Sequence, residues 1–409
     1  MDSGEIGIRK FELEHFGDKT DLTPFVVEMH IFESIYDPYI QATMSIIDGA
    51  GLIDRISWAG STVTITYTSN ENVEPTTMVF IVDGAAGATP SMGDKNQTYL
   101  VRLYSQEIPR GLAITTGEIF NKMAPEKMIQ QILTDKIKTK KPFASDKTGS
   151  LDTINCANLR PFQAIDKIKR RAVSRNKISS SFLFFENKHG YNFKSLEMLL
   201  SDARKNPQVK DGDRNFYLDS IQHINVENSS WRQILSFERT KSQGLMETIG
   251  QGGVSGKIYA YDVGTGKHYE FKYEDNKNSS EFDINPESIT YKRVTIDDIM
   301  KKGDDPANMI VAPITSTDDL ERIRKEIYVR AFMSKMAANI VRMQIHGDSR
   351  LTVGTPVTLN LPIIDGTTTK KTNKIGGGIY LISKLRHMIT PSNQSYEQSC
   401  ELIRTGMLE

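Results

Sequence analysis

Gly60-Ser61-Thr62-Val63-Thr64-Ile65-Thr66 and Gly354-Thr355-Pro356-Val357-Thr358-Leu359-Asn360 are the two stretches on which the reading of this 409-residue chain turns. Each opens on a glycine and runs into β-branched side chains, the composition of a strand. Downstream, Met78-Val79-Phe80-Ile81-Val82 matches Gly378-Ile379-Tyr380-Leu381-Ile382. Nineteen residues beyond Val82 lies Val101, within Tyr99–Tyr104. Nineteen beyond Ile382 lies Glu401, within Ser399-Cys400-Glu401-Leu402-Ile403. Upstream, Met44-Ser45-Ile46 parallels Met343-Gln344-Ile345, and the linker that follows is about five residues longer in the first copy. Four segments in one order at similar intervals predict a duplicated small β-domain. Two unrelated β-domains with ordinary strand spacing are the alternative.

Working outward, residues 24–48 read as a hairpin, with Phe25, Val27, Met29, Ile31 and Glu33 on one parity and a turn at Tyr36-Asp37-Pro38. Leu52–Ile56 reads as a single helical turn, and Val63–Thr68, Met78–Val82 and Tyr99–Tyr104 as strands. The texture changes after Pro109-Arg110-Gly111. Pro125–Ile137 and Ala164–Ala172 carry helical stripes, Lys138–Ser150 is polar and reads as a loop, and Phe182–Phe193 reads as a hairpin around Asn187-Lys188-His189-Gly190. Phe216–Val226 reads as a strand, 244–256 as a glycine-rich loop, and Tyr259–Tyr273 as an aromatic hairpin about Val263-Gly264-Thr265-Gly266. Residues 274–313 read as irregular, and Thr317–Ala338 as the strongest helix, with Asp318, Asp319 and Glu321 suiting its positive end. The fold class is therefore α+β, mostly β: two similar small β-barrel domains interrupted by a mixed peripheral domain. The boundaries are 1–110 for the first barrel, 111–212 for the insert, 213–245 with 311–409 for the second barrel, and 246–310 for a hairpin and loop region.

Composition narrows the function. Lys plus Arg and Asp plus Glu are 51 each, so the chain lacks the basic excess of a protein that coats nucleic acid. No apolar run is long enough to span a membrane, and the N-terminus has no signal-peptide pattern. Two distant cysteines, Cys156 and Cys400, read as free buried thiols in a reducing compartment. Gly250–Lys257 fails as a P-loop: its spacing is one residue too long, and Ile258 stands where Ser or Thr would bind Mg²⁺. None of His15, His30, His189, His223, His268, His346 and His387 stands four residues from another, and His189 and His268 fall beside turns, where a solvated imidazole is expected. Asp297-Asp298 and Asp318-Asp319 are adjacent pairs, which do not place two carboxylates across a substrate. Lys167, Lys169, Arg170, Arg171, Arg175 and Lys177 form a basic stretch, read first as a solvated helix face and second as a surface for an acidic neighbour or DNA. Phe332-Met333-Ser334-Lys335-Met336 reads as core packing under the second barrel. The expectation is no catalytic residue, no cofactor and no metal.

Phe32-Glu33-Ser34-Ile35, Pro38-Tyr39-Ile40, Ile47-Asp48-Gly49, Leu52-Ile53 and Trp58-Ala59-Gly60 resemble the opening pattern of the baseplate hub proteins of contractile phage tails. Gly347–Gly354 followed by Tyr380-Leu381-Ile382 resembles their later tail-tube-like domain, which type VI secretion spike proteins also carry. Arg160–Ile165 and Phe184–Asn187 resemble the domain that interrupts the two. The resemblance implies a homotrimer with pseudo-sixfold symmetry, since a trimer of two-copy subunits presents six similar surfaces about one axis. It implies a tail tube protein, a spike protein and other baseplate proteins as partners. DNA would pass through the channel without sequence-specific binding, with no stable membrane insertion. It implies a place in the virion baseplate after assembly in the host cytoplasm. No spike fold follows the last strand, so the spike is expected as a separate polypeptide. The tip of a non-contractile tail and a β-rich cell-wall hydrolase are the rivals.

Overall fold

The computed structural model describes residues 4–69, 74–90, 96–149, 151–174, 181–205, 214–218, 230–241, 255–274, 290–294, 309–314, 340–362 and 376–404. Between 315 and 339 it also describes Ile323, Val329, Phe332, Met333 and Met336. The first copy comprises β1 (Gly7–His15), β2 (Asp18–Asp21), β3 (Val26–Ser34), β4 (Gln41–Asp48), β5 (Thr62–Thr68), β6 (Thr76–Pro90) and β7 (Gln97–Ser105), with α1 (Leu52–Arg55) between β4 and β5. The insert holds α2 (Ile108–Ala113), β8 (Ile119–Met123), α3 (Pro125–Gln131), β9 (Phe143–Ser145), β10 (Asp152–Asn155), α4 (Pro161–Arg171), β11 (Phe182–Asn187), β12 (Gly190–Ser195) and α5 (Leu196–Lys205). A π-helical stretch, Ile132–Ile137, continues α3. Then come β13 (Asn215–Tyr217), β14 (Ile234–Lys241), β15 (Ser255–Asp262), β16 (His268–Glu274), β17 (Thr290–Val294), β18 (Met309–Ile314), β19 (Ile340–His346), β20 (Pro356–Asn360), β21 (Gly378–Thr390) and β22 (Ser395–Ile403).

The duplication extends to hydrogen-bond register. The first copy runs β3-β4-β7-β6-β5 and the second β14-β19-β22-β21, with β20 on β21. Met44 opposes Val101, and Met343 opposes Cys400. The register slips between Val26 and Glu28 in β3, and between Ile234 and Ser236 at the equivalent place in β14. It slips again between Val82 and Gly84 in β6, and between Ile382 and Lys384 in β21. Gly60 N–H donates to Val82 O at 2.8 Å, and Gly354 N–H to Ile382 O at 2.9 Å. Both glycines sit at positive φ, +83° and +79°, where a side chain would be strained. Bulges are placed features that re-aim a strand, so shared ones weigh heavily for common ancestry of the copies. One detail of the sequence alignment shifts: Cys400, not Glu401, is the counterpart of Val101, because β6 carries one extra residue, at a slip between Ala86 and Thr89 that β21 lacks.

Separate barrels are not what the strands form. Among the described residues β3 takes its second partner from the other copy, β21, so the strands run on in one thirteen-stranded sheet with no closed barrel. Beneath it lie two cores. One is built on Phe11, Met29, Ile31, Met44, Ile65, Phe80 and Val101, the other on Met343, Val357, Leu359, Tyr380, Leu385 and Cys400. Ile389 and Tyr396 of the second copy pack into the first core. A third core, with Ile129, Leu133, Ile165, Ile168 and Phe193, holds the insert.

Other expectations need correction. β1 and β2 escaped notice because charged residues separate Phe11 and Leu13, the side chains that β1 buries. Within the polar stretch after the π-helical turn, β9 forms, held parallel to β12. Residues 274–313 are not all irregular: β17 and β18 complete the four-stranded sheet β17-β16-β15-β18, β18 pairing parallel to β15 across a long crossover. Of the strand expected over 216–226, Asn215–Tyr217 is seen and 219–226 lies outside the described residues. Of the helix expected over 317–338, only Ile323, Val329, Phe332, Met333 and Met336 are described. All five are helical, and Ile323, Phe332 and Met336 are buried in the second core.

Candidate functional site: the seam between the two copies

Strand alternation places Glu33 two residues beyond Ile31 and His387 two beyond Leu385, so both point into the interior where β3 meets β21. Their side chains are out of solvent and pair at 3.2 Å, Glu33 Oε1 to His387 Nε2. Glu33 Oε2 accepts from Val353 N–H at 3.1 Å and from the Thr352 hydroxyl. Nδ1 of His387 lies 2.7 Å from the Tyr396 hydroxyl. Gln398 Nε2 donates to that hydroxyl at 2.9 Å and to Asp348 O at 3.0 Å. Ser349 N–H donates to Ser69 Oγ at 2.8 Å, and the Tyr67 and Tyr396 rings meet edge on at 5.7 Å. Burial pushes the Glu33 carboxyl up, but the His387 contact, Thr352 and Val353 N–H outweigh it and hold the group below the usual carboxylate range. Burial drives the Tyr396 hydroxyl well above its ordinary value, so it stays neutral.

Chemically this is a satisfied buried network. It joins Glu33, Tyr67 and Ser69 of the first copy to seven residues of the second. Such networks fix one arrangement of the parts they join. With the carboxylate and the imidazole almost wholly out of solvent, their geometry locks the copies together.

A second buried cluster ties the first copy to the insert. Glu186 accepts from Ile40 N–H at 3.2 Å and from the Ser105 hydroxyl at 2.5 Å. Lys141 Nζ sits 2.6 Å from both Glu186 and Glu107. Burial raises the Glu186 carboxyl against the pull of Lys141. Lys141 loses hydration too, but its two carboxylates hold it charged. The cluster borders a cleft of about 580 Å³ that Lys138, Lys140 and Lys188 also line. A second cleft of about 350 Å³ opens at the seam, between Phe32, Gln41, Lys384 and Glu401.

The seven histidines do not converge. His15 meets Ser61 Oγ at 2.9 Å, and His30 lies beside Glu28 at 3.0 Å. His346 lies in β19 and His387 at the seam, while His223 is outside the described residues. His189 is exposed beside its turn, as expected, with partial desolvation and Lys188 lowering it, whereas His268 is half-buried and its ring leans on Tyr261 at 4.8 Å. Among the described residues no three of His, Cys, Asp and Glu are grouped as metal ligands. Cys156 and Cys400 are buried and unbridged. On α4, Lys169 and Arg170 are neutralised by Asp166 at 2.8 and 2.7 Å, and Lys167 binds Asn155 O. Arg175, Lys177, Asp297-Asp298, Asp318-Asp319 and 250–254 lie outside the described residues, and Ser255-Gly256-Lys257 opens β15. Sequence reasoning missed Glu33 and His387 as partners. The signal was present: each is an ionisable group on the apolar parity of a strand.

No protein-family model matches the chain, and no curated protein matches it. Two solved structures share its fold over nearly its whole length. One is a tail protein from Neisseria meningitidis (TM-score 0.58, 9% identity, 97% of this chain and 96% of that one). The other is the 43 kDa tail protein of prophage MuSo2 from Shewanella oneidensis (TM-score 0.55, 10% identity, 97% and 98%). An Escherichia coli component of the type VI secretion system aligns more loosely (TM-score 0.47, 9% identity, 99% and 79%).

Proposed function

We propose that this chain, which has the fold of phage tail proteins, closes as a homotrimer into the central hub of a contractile tail's baseplate. It joins the sixfold tail tube to the threefold spike and leaves an axial channel for DNA. The role is structural and non-catalytic. In this reading 1–110, and 213–245 with 311–409, are the tube-like units; 111–212 stands at the periphery with 246–310 beside it.

The observation that carries the reading is the joint between the copies. β3 pairs antiparallel with residues 384–389 of β21. Among the described residues the equivalents at the other two ends stand open: β14, the counterpart of β3, ends the sheet, and residues 84–90 of β6, which with one extra residue between Ala86 and Thr89 match 384–389, have only β7 beside them. A second chain repeats the joint by laying its β14 along 84–90 of the first. A head-to-tail contact of this kind generates rings. Gly84-Ala85-Ala86-Gly87 suits close approach of another backbone, and pairing removes two exposed edges that invite aggregation. Eight strands from each of three chains exceed the ~16–18 at which a barrel already leaves an aqueous channel.

Native mass measurement and electron microscopy test this, together with a disulfide trap. Thr89→Cys with Glu238→Cys, the pair equivalent to Met388 and His30, is expected to give a covalent ladder that stops at the trimer. A protein that stays monomeric at high concentration, with no ring in images, overturns the proposal.

A further inference from the structure

At its N-terminal end β6 outruns its neighbour. It pairs with β7 only from Phe80 onward, so among the described residues Thr76–Val79 have β5 on one side and no strand on the other. Val82 N–H donates to Ser61 O at 2.9 Å, and Val82 O accepts from Gly60 N–H at 2.8 Å, both on the β5 side. Alternation along the strand then turns the backbone groups of Thr77 and Val79 to the open side. Thr77, Met78, Val79 and Phe80 form one wall of the cleft of about 580 Å³ between the first copy and the insert. An open strand edge is a template for a further strand. We infer that this cleft takes an acidic, extended segment of another protein, which adds to β6 at Thr76–Val79 and sets its carboxylates against Lys138, Lys140 and Lys188. The inference goes beyond the hub reading, because it needs no ring and uses none of the residues at the proposed joint.

Charge selects the occupant. Arg110, Lys138, Lys140, Lys141 and Lys188 line the cleft against two carboxylates, Glu107 and Glu186. Lys141 already spans both carboxylates, at 2.6 Å to each. The other four cations have no carboxylate within 4 Å among the described residues, and Lys138 and Lys140 are exposed. A cleft lined by one sign of charge focuses its field on an arriving ion of the other sign. The cationic wall is also fixed before anything binds. Thr139 N–H donates to Leu133 O at 3.2 Å, the Thr139 hydroxyl to Glu107 at 2.8 Å, and Tyr191 N–H to Pro142 O at 2.9 Å. Gly190 sits so close to Pro142 that an added Cβ would fall 2.3 Å from the Pro142 carbonyl oxygen. Such preorganisation lowers the cost of binding. Met78, Phe80 and Ile137 share the lining, and with the strand edge they favour a peptide over a chain of phosphates. In strand addition the main-chain hydrogen bonds supply affinity and the alternate side chains supply specificity.

The test uses the full chain and a fluorescein-labelled peptide of alternating Glu and Val, read by anisotropy. The peptide is expected to bind at about 50 mM salt with a Kd below about 1 mM, and to weaken as salt rises. Lys138→Gln with Lys140→Gln, both at exposed sites, is expected to weaken binding about tenfold. Val79→Pro removes an N–H on the open side and, by the alternation above, leaves the β5 ladder intact; it is expected to abolish binding. The same peptide N-methylated at every residue keeps its charges but cannot donate to a strand edge, and it is expected not to bind. Binding that survives either N-methylation or Val79→Pro overturns strand addition. An alternating Lys and Val peptide, or a short DNA duplex, that binds as tightly overturns the acidic peptide as occupant. So does a double lysine variant with unchanged affinity, or a Glu and Val peptide that fails to bind at about 1 mM. The N-methylated peptide needs no variant protein, so it keeps the experiment decisive if Val79→Pro fails to fold.

Discussion

Removing Glu33 should cost far more than its one charge suggests. In Glu33→Ala the His387 ring, Val353 N–H and the Thr352 hydroxyl all lose their acceptor in the dry interior. Breaking a buried pair by deleting one partner costs about 3–5 kcal/mol. That is a large share of the roughly 5–15 kcal/mol that holds a typical domain. His387→Ala should cost a similar amount, since it leaves Glu33 charged and short of its main partner. The double variant should cost less than the sum, with a coupling of at least about 1 kcal/mol, because neither partner is then stranded. Replacing both by leucine does not rescue the fold, since Thr352 and Val353 N–H remain orphaned at about 1–3 kcal/mol each. Urea unfolding followed by tryptophan fluorescence suits the measurement: Trp58 reports on the first copy and Trp231 lies just before β14. The pH dependence supplies an independent check. The folded-state pKa of Glu33 lies below its unfolded value, so its contribution is present above the ordinary glutamate range and is lost as pH falls through the folded value. The gap between wild type and Glu33→Gln should therefore narrow in acid. Additive single effects within about 0.5 kcal/mol, or a Glu33→Ala cost below about 1 kcal/mol, would refute the dry, coupled seam.

The two equivalent glycines should respond unequally. Both sit at positive φ, but an added Cβ meets nothing within 4 Å at Gly60 and lies 3.3 Å from the Phe185 ring at Gly354. Gly354→Ala should exceed Gly60→Ala in cost, the latter being about 1–2 kcal/mol, and equal denaturation midpoints would contradict this. Lys141→Met strands Glu186 in the cleft wall. Its loss, about 3–5 kcal/mol near neutral pH, should shrink as pH falls and Glu186 takes up a proton, read from unfolding curves across pH. Cys400, buried with its thiol pushed far up, should resist alkylation in the folded protein and react only on unfolding, as mass spectrometry of labelled samples would show.

How much of this was legible in the sequence depends on range. The repeat was readable because each strand carries its own local signature: a turn glycine, β-branched runs, and a methionine at matched positions. Their order survives in the structure, with two bulges at matched places. The joint was not readable. Whether β3 closes its own barrel or crosses to β21 depends on a pairing some 350 residues apart in sequence, and strand composition says nothing about partner choice. Glu33 and His387 fell in the same gap, being visible as misfits on apolar parities but not as a pair. β1 was hidden by Lys10, Glu12 and Glu14 on its solvent face, and β18 by its distance from the hairpin it completes.

The link between β3 and β21 also sets a rule of parity. Because one polypeptide carries both partners, that joint forms at the high effective concentration of a tethered pair, before any two chains meet. Half the contacts of a closed array are then settled at folding, and only the alternate ones depend on protein concentration. Any ring of this chain therefore holds an even number of copies, and five-unit or seven-unit closures are forbidden by the covalent chain. In such a ring the two copies are also released from being identical, since each would face the other across one kind of joint and a stranger across the next. Gly84–Gly87 in one and Lys384–His387 in the other differ in the way that freedom would allow.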